Sequence, residues 1–336
     1  MIFVLKYSCT VYERVFFMSK KSKAPGIIAG ICAAAAGAYL GMGGMLCYGI
    51  LSKKTCNQHP EELLKAPGNM KRYMNDVNFR NADDWYCGIN PEDTVLISEK
   101  GDKLISKIIM NKEPSHKWLI AVHGYTSRPR AMARQAIHFY KNGYNCIMPC
   151  QRAHRNREEH FTSMGYYEKY DIISWINYII SCDPEAEIVL LGISMGSATV
   201  MLTTGEKLPP NVKCCIADCG FTDCMELFRC SIKPISGFPP FPFLNAADSF
   251  AKLFLGWGFS DCSPIKAVSR SVTPTLFIHG EEDPVVPFWM MEALYEKCSA
   301  PKMKLALPDT GHDEACANFP EKYWEAVDSL VGEYVK

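Results

Sequence analysis

The run Glu187-Ile188-Val189-Leu190-Leu191 passes into Gly192-Ile193-Ser194-Met195-Gly196, and a helical stretch follows from Ser197. A short apolar run with this ending reads as a buried strand. A strand that turns at once into a helix leaves little room at the turn. Two glycines remove the side chains that would collide there, while the serine accepts a strained backbone. The turn lifts the hydroxyl clear of the sheet, at a helix N-terminus whose dipole and free N–H groups favour developing negative charge. The bland alternative is a glycine-rich turn with an incidental serine. The chemical reading makes a further demand, because a serine hydroxyl attacks only when a base takes its proton and a third group orients that base.

Two downstream loops meet that demand. After the apolar run Thr273–Ile278 comes His279-Gly-Glu-Glu-Asp283-Pro-Val-Val-Pro287, and after Lys302–Leu307 comes Pro308-Asp-Thr-Gly311-His312. Each candidate lies just past the carboxyl end of a strand, where open parallel sheets place their sites.

On these motifs the chain resembles the α/β-hydrolase superfamily over roughly residues 90 to 335. Within it, the resemblance is to membrane-anchored bacterial serine hydrolases of the serine aminopeptidase-like or prolyl-oligopeptidase-like group. The resemblance implies Ser194 as nucleophile, Asp283 as orienting acid and His312 as general base, in the chain order usual for that fold. It also implies an oxyanion hole from the backbone N–H groups of Met195 and of Tyr125, the latter in His123-Gly124-Tyr125 after the strand Lys117–Val122. Competing assignments stay open. Asp218 ends the strand before Asp283's and is the alternative acid. Asp313, beside His312, reads as a surface or capping carboxylate. His154 and His160 read as shaping the rim or a solvated loop, where relatives carry an Asp-x-Arg-Gly-His-Gly pattern that this chain lacks. His59, His116 and His138 have no evident chemical partners.

A stretch of apolar residues without charge, Ala24 to Leu51, precedes the enzyme-like region. It exceeds the roughly 20 residues that span a bilayer, and Ala and Gly are common in membrane helices. Lys20, Lys21 and Lys23 precede it and Lys53 and Lys54 follow, a slight bias towards N-terminus inside and the following domain on the extracytoplasmic side. A cleaved signal peptide and a buried core helix are the alternatives. Residues 1–23 are expected as a cytoplasmic tail, with Met1 or Met18 as the start. The 52–90 segment is expected as a polar connector, partly helical around Pro60–Arg80.

The hydrolase-like part, 91–336, is long enough for a sizeable core. Thr94–Ser98 and Lys103–Met110 read as an antiparallel hairpin, and alternating strands and helices after it imply parallel pairing. The expected architecture is therefore an α/β-hydrolase fold: a mostly parallel eight-stranded sheet with helices on both faces and a small helical cap. The cap is expected at about 220–270, since some 55 residues separate the strands 212–217 and 273–278, more than a crossover needs. Phe238, Phe241, Phe243, Phe254 and Trp257 are the expected walls of an apolar pocket there, against the alternative that they only pack the cap onto the core.

The 36 basic and 36 acidic residues balance, so no basic field for nucleic acid exists. The 16 cysteines show no zinc spacing; buried thiols explain them, with disulfides open in an exported domain. No metal or organic cofactor is expected, and the oligomeric state is not specified. The expected activity is cleavage of a carboxylic ester through an acyl-enzyme. A serine peptidase or aminopeptidase acting on short peptides is the runner-up, and a catalytically silent binding protein of the same fold is the third reading.

Overall fold

Residues 24–58, 77–237 and 239–336 are described by a computed structural model of the chain. The expected tail 1–23, most of the expected helix near 60–80, and Phe238 lie outside them. The chain divides into two units, Met1–Tyr39 and Leu40–Lys336. In the first, the described residues belong to helix α1 (Ala24–Leu51), whose last turns belong to the second. The window Ala29–Leu51 has a mean hydropathy of 1.5 over 23 residues, which suits a membrane span and equally a signal sequence.

The second unit is built on an eight-stranded sheet in the order β1-β2-β4-β3-β5-β6-β7-β8. The strands are β1 (Glu92–Ile97), β2 (Lys103–Ile109), β3 (Lys117–Val122), β4 (Asn145–Pro149), β5 (Glu187–Ile193), β6 (Val212–Asp218), β7 (Thr275–Gly280) and β8 (Lys302–Leu307). The β1–β2 and β2–β4 pairs are antiparallel, and every pair from β4 to β8 is parallel. Alternation along the central strands divides the core. Leu119, Val189, Leu191, Cys214, Ile216 and Leu276 face one layer; Ile120, Ile188, Leu190 and Cys215 face the other. Cys214 and Cys215 thus point to opposite sides, as adjacent strand residues must.

The first layer is covered by α4 (Ala133–Lys141) and, near the C-terminus, α12 (Pro320–Tyr334); the second by α5 (Glu168–Cys182) and α6 (Met195–Thr204). Both strand faces are apolar because both are covered. No disulfide joins the fifteen described cysteines, most of which are buried.

The described parts of 52–90 are helical and pack onto the rest of the second unit. Helix α2 (Lys53–Cys56) hydrogen-bonds onto the loop after β4, through Lys53 N–H to the His160 carbonyl at 2.7 Å. Helix α3 (Val77–Ile89) buries Ala82 and Tyr86 against the α4 layer. A few apolar residues fasten this polar segment to the layer under the sheet.

Between β6 and β7 lie α7 (Cys224–Ser236), α8 (Pro240–Phe250), a π-helical turn over Ala251–Leu255, and α9 (Pro264–Val268). Helix α10 (Trp289–Lys297) follows β7, and α11 (Ala315–Asn318) follows the loop after β8.

Candidate active site

Ser194 sits between β5 and α6 at φ 56° and ψ −117°, a conformation non-glycine residues rarely adopt. The flanking glycines explain how the strain is held. A Cβ on Gly192 would lie 2.2 Å from the Gly196 carbonyl oxygen, and one on Gly196 2.0 Å from that of Val122. The serine N–H donates to the Asp218 carbonyl at 2.9 Å. Sheet, helix and turn therefore fix one serine orientation.

His312 arrives from the loop after β8. Its Nε2 lies 2.8 Å from Ser194 Oγ, and its Nδ1 lies 2.6 Å from Asp283 Oδ2. The other Asp283 oxygen accepts the N–H groups of Val285 and Val286 at 2.8 and 2.9 Å. Burial opposes ionisation of Asp283, but the His312 charge and hydrogen bonds from His279 and His312 outweigh it, holding the carboxyl well below the usual range. Burial likewise opposes protonation of His312, yet Asp283 outweighs it and raises the imidazole's pKa. Asp283 and not Asp218 holds the His312 ring. Asp218 is buried at the end of β6, where burial first and Asp313 second push its carboxyl up to about 7. Asp313 is half-exposed, 3.7 Å from Arg134.

The loop after β3 lies against the serine, with Gly124 in contact range of the Ser194 side chain. This brings the Tyr125 backbone beside the elbow. Met195 opens α6, and the first N–H groups of a helix have no intrahelical acceptor.

Two histidines brace this loop. His123 Nδ1 donates to the Gly124 carbonyl at 2.8 Å, and its Nε2 accepts the Gln151 N–H at 3.1 Å. His154 Nδ1 donates to the Arg152 carbonyl at 2.8 Å, and its Nε2 accepts the Thr126 N–H at 3.1 Å. Both rings are fully buried and meet edge to face. Burial lowers their pKa values to about 3 and about 4, so they remain neutral and keep the one-donor, one-acceptor pattern the loop needs. His154 is thus neither a rim group nor solvated; of these two, His160 is the exposed one. A lone histidine in a polar, Arg-rich segment gave no sign of burial. Its partner, the Thr126 backbone, is 28 residues away.

The cap aromatics divide. Trp257 is buried and stacks on Tyr166 at 6.0 Å, and Phe243 is half-buried in the apolar cluster beneath the cap. Phe241 and Phe254 are 74% and 59% exposed, and so wall no enclosed pocket. Aromatic content alone could not show that α8 and the π-helical turn each present one ring outward. Among the described residues, no group of three or more His, Cys, Asp or Glu side chains is arranged to hold a metal ion.

Residues 117–255 match the family model described as the alpha/beta hydrolase fold. With the sheet order and the strand–serine–helix elbow, this gives the chain the α/β-hydrolase fold. It is 29% identical over 185 residues to the uncharacterized protein YqkD of Bacillus subtilis, spanning 55% of this chain and 61% of that protein. Among solved structures, it is similar to the Pyrococcus furiosus esterase Pf2001, with a TM-score of 0.61 at 23% identity, covering 74% of this chain and 93% of that one. The Pyrococcus horikoshii acylaminoacyl peptidase gives a TM-score of 0.55 at 16% identity, covering 73% of this chain and 42% of the other. At such identities the likeness to solved structures is one of fold.

Proposed function

We propose that this protein is a serine hydrolase that cleaves carboxylic esters. The observation that carries the reading is the continuous chain Ser194 Oγ–His312 Nε2, 2.8 Å, and His312 Nδ1–Asp283 Oδ2, 2.6 Å. Ser194 Oγ attacks the ester carbonyl carbon while His312 Nε2 takes the hydroxyl proton, and Asp283 stabilises the imidazolium. The backbone N–H groups of Tyr125 and Met195 receive the oxyanion. Collapse breaks the bond to the alcohol oxygen, which leaves with the proton from His312. Water then attacks the acyl-enzyme, gives a proton to His312, and frees the acid and Ser194. His312 keeps about a fifth of its side chain, 19%, exposed, which lets water reach this step.

The apolar helix α1 supports membrane attachment, with the hydrolase unit on the extracytoplasmic side as the flanking lysines suggest. A peptidase acting on short peptides is the second reading, favoured by the fold shared with an acylaminoacyl peptidase; amides pass through a similar tetrahedral intermediate. Fluorophosphonate labelling of the full chain tests the proposal, beside Ser194→Ala and with turnover of p-nitrophenyl esters and of aminoacyl and prolyl amides. Labelling should vanish in the variant, and esters should turn over faster than amides. Faster amide turnover would favour the peptidase, and an unlabelled folded wild type would leave a binding protein of this fold.

A further inference from the structure

The end of α1 does more than lead into the hydrolase unit. Its last turns are packed against the cap: Gly43 lies so close to α8 that a Cβ there would fall 2.1 Å from the Ala246 carbonyl oxygen. Cys47 Sγ donates to the Ala247 carbonyl at 3.3 Å, and Cys47 and Leu51 are fully buried. The Leu51 carbonyl accepts the Thr162 N–H at 2.9 Å. One contact reaches the site directly, since the Tyr125 hydroxyl donates to the Ile50 carbonyl. That carbonyl lies in the last turn of α1, where main-chain acceptors are left without helical partners.

The apolar packing continues from the helix to the residue that follows the nucleophile. Leu46 and Ile50 pack into the same cluster as Tyr125, Met195, Met225 and Val285. Met195 follows Ser194, Tyr125 belongs to the loop against it, and Val285 follows Asp283 by two residues. On the same turn as Leu46, Met45 points away and is 73% exposed.

We propose that two residues of the last turns of α1 form part of the substrate site: Leu46 and Ile50 wall one side of the path for an aliphatic acyl chain, and Ile50 positions the oxyanion loop through Tyr125. This rests on the serine-hydrolase reading for its chemistry. Such a wall would disfavour charged acyl groups and favour chains that displace water along their length. Tyr125 acts through its backbone N–H, so its hydroxyl is a positioning group. Loss of its bond moves a donor that matters in the transition state.

The test uses the full chain in detergent, with p-nitrophenyl esters from acetate to decanoate. Leu46→Trp should lower the decanoate-to-acetate ratio of kcat/KM by about tenfold, whereas Met45→Trp should leave that ratio as in wild type. Tyr125→Phe should lower kcat by about fivefold at every chain length with KM unchanged. An unchanged ratio in Leu46→Trp would overturn the wall, and unchanged kcat in Tyr125→Phe would overturn the positioning role. A readout without turnover keeps the wall separate from the Ser194 assignment. In Ser194→Ala protein, 11-bromoundecanoate should quench added Leu46→Trp emission saturably, and that of Met45→Trp only in proportion to detergent partitioning. Equal, unsaturable quenching in both would overturn the wall whatever the labelling of Ser194 shows.

Discussion

The loops after β5, β7 and β8 and the insertion between β6 and β7 are specified differently. In the first group, short-range constraints dominate: glycines that admit no Cβ, a serine at positive φ, and an aspartate whose carboxylate accepts backbone N–H groups two and three residues on. In the insertion, position depends on what each aromatic residue meets from elsewhere in the chain, such as Trp257 against Tyr166. The elbow and its loops are therefore locally encoded, whereas the cap is positioned by distant segments, including the end of α1.

The largest effect that could break this contrast concerns the acid. Asp283→Asn should reduce kcat/KM about 10³–10⁴-fold, because the Asn side chain stabilises the wrong His312 tautomer and no imidazolium. Asp218→Asn should change it by less than about tenfold, being a buried carboxyl that does not touch the His312 ring. Comparable losses would move the acid to β6. In wild type, His312 must be neutral to act as base, and its raised pKa places the acid limb of the pH–rate profile above the ordinary histidine value of about 6.5. In Asp283→Asn the residual activity should show that limb at lower pH, since the anion favouring the imidazolium is gone. An unmoved limb would assign it to another group.

A smaller effect concerns the cap. Trp257→Ala empties a buried, stacked position and should cost about 3–5 kcal/mol of unfolding free energy, read by chemical denaturation. A loss below about 1 kcal/mol would mean that the cap unfolds independently of the sheet.

These predictions follow the boundary of what the sequence encodes visibly. Ser194, Asp283 and His312 were legible because each stands at a strand end within a motif whose residue types have few other uses. The sheet was legible because its core strands are apolar on both faces. His154 was not, because its burial depends on packing against His123 and on a backbone N–H from another loop. The docking of α1 on the cap was not either. An apolar helix followed by lysines carries the same pattern whether its last turns are free or, as here, packed around Cys47 and Leu51.

Asp218 sharpens the comparison through stability. Its folded pKa, raised to about 7 against about 3.9 in the unfolded chain, means the folded state binds more protons between those values. Its contribution is therefore fully present below pH ~4, fades as pH rises towards 7, and is a penalty above that. Asp218→Asn, which mimics the protonated form, should gain on the order of 4 kcal/mol relative to wild type at pH 8 and little at pH 4. A stability difference independent of pH would mean that Asp218 ionises normally in the fold.

The smallest expected effect tests the outward rings. Phe241 and Phe254 give up little contact when shortened, so Phe254→Ser and Phe241→Ser should each change unfolding free energy by no more than about 0.5 kcal/mol. Exposed rings on a lobe that also docks the end of an apolar helix suit contact with lipid. If α1 anchors the chain, the same substitutions should lower turnover of esters presented in vesicles more than turnover of monomeric short-chain esters. Apolar area withdrawn from water at the surface favours binding by roughly 25 cal/mol per Å², and each ring offers enough area for a severalfold change. Equal effects on both substrates would show that the outward rings act through the fold alone, and the cap would then differ from the catalytic loops only in how its position is encoded.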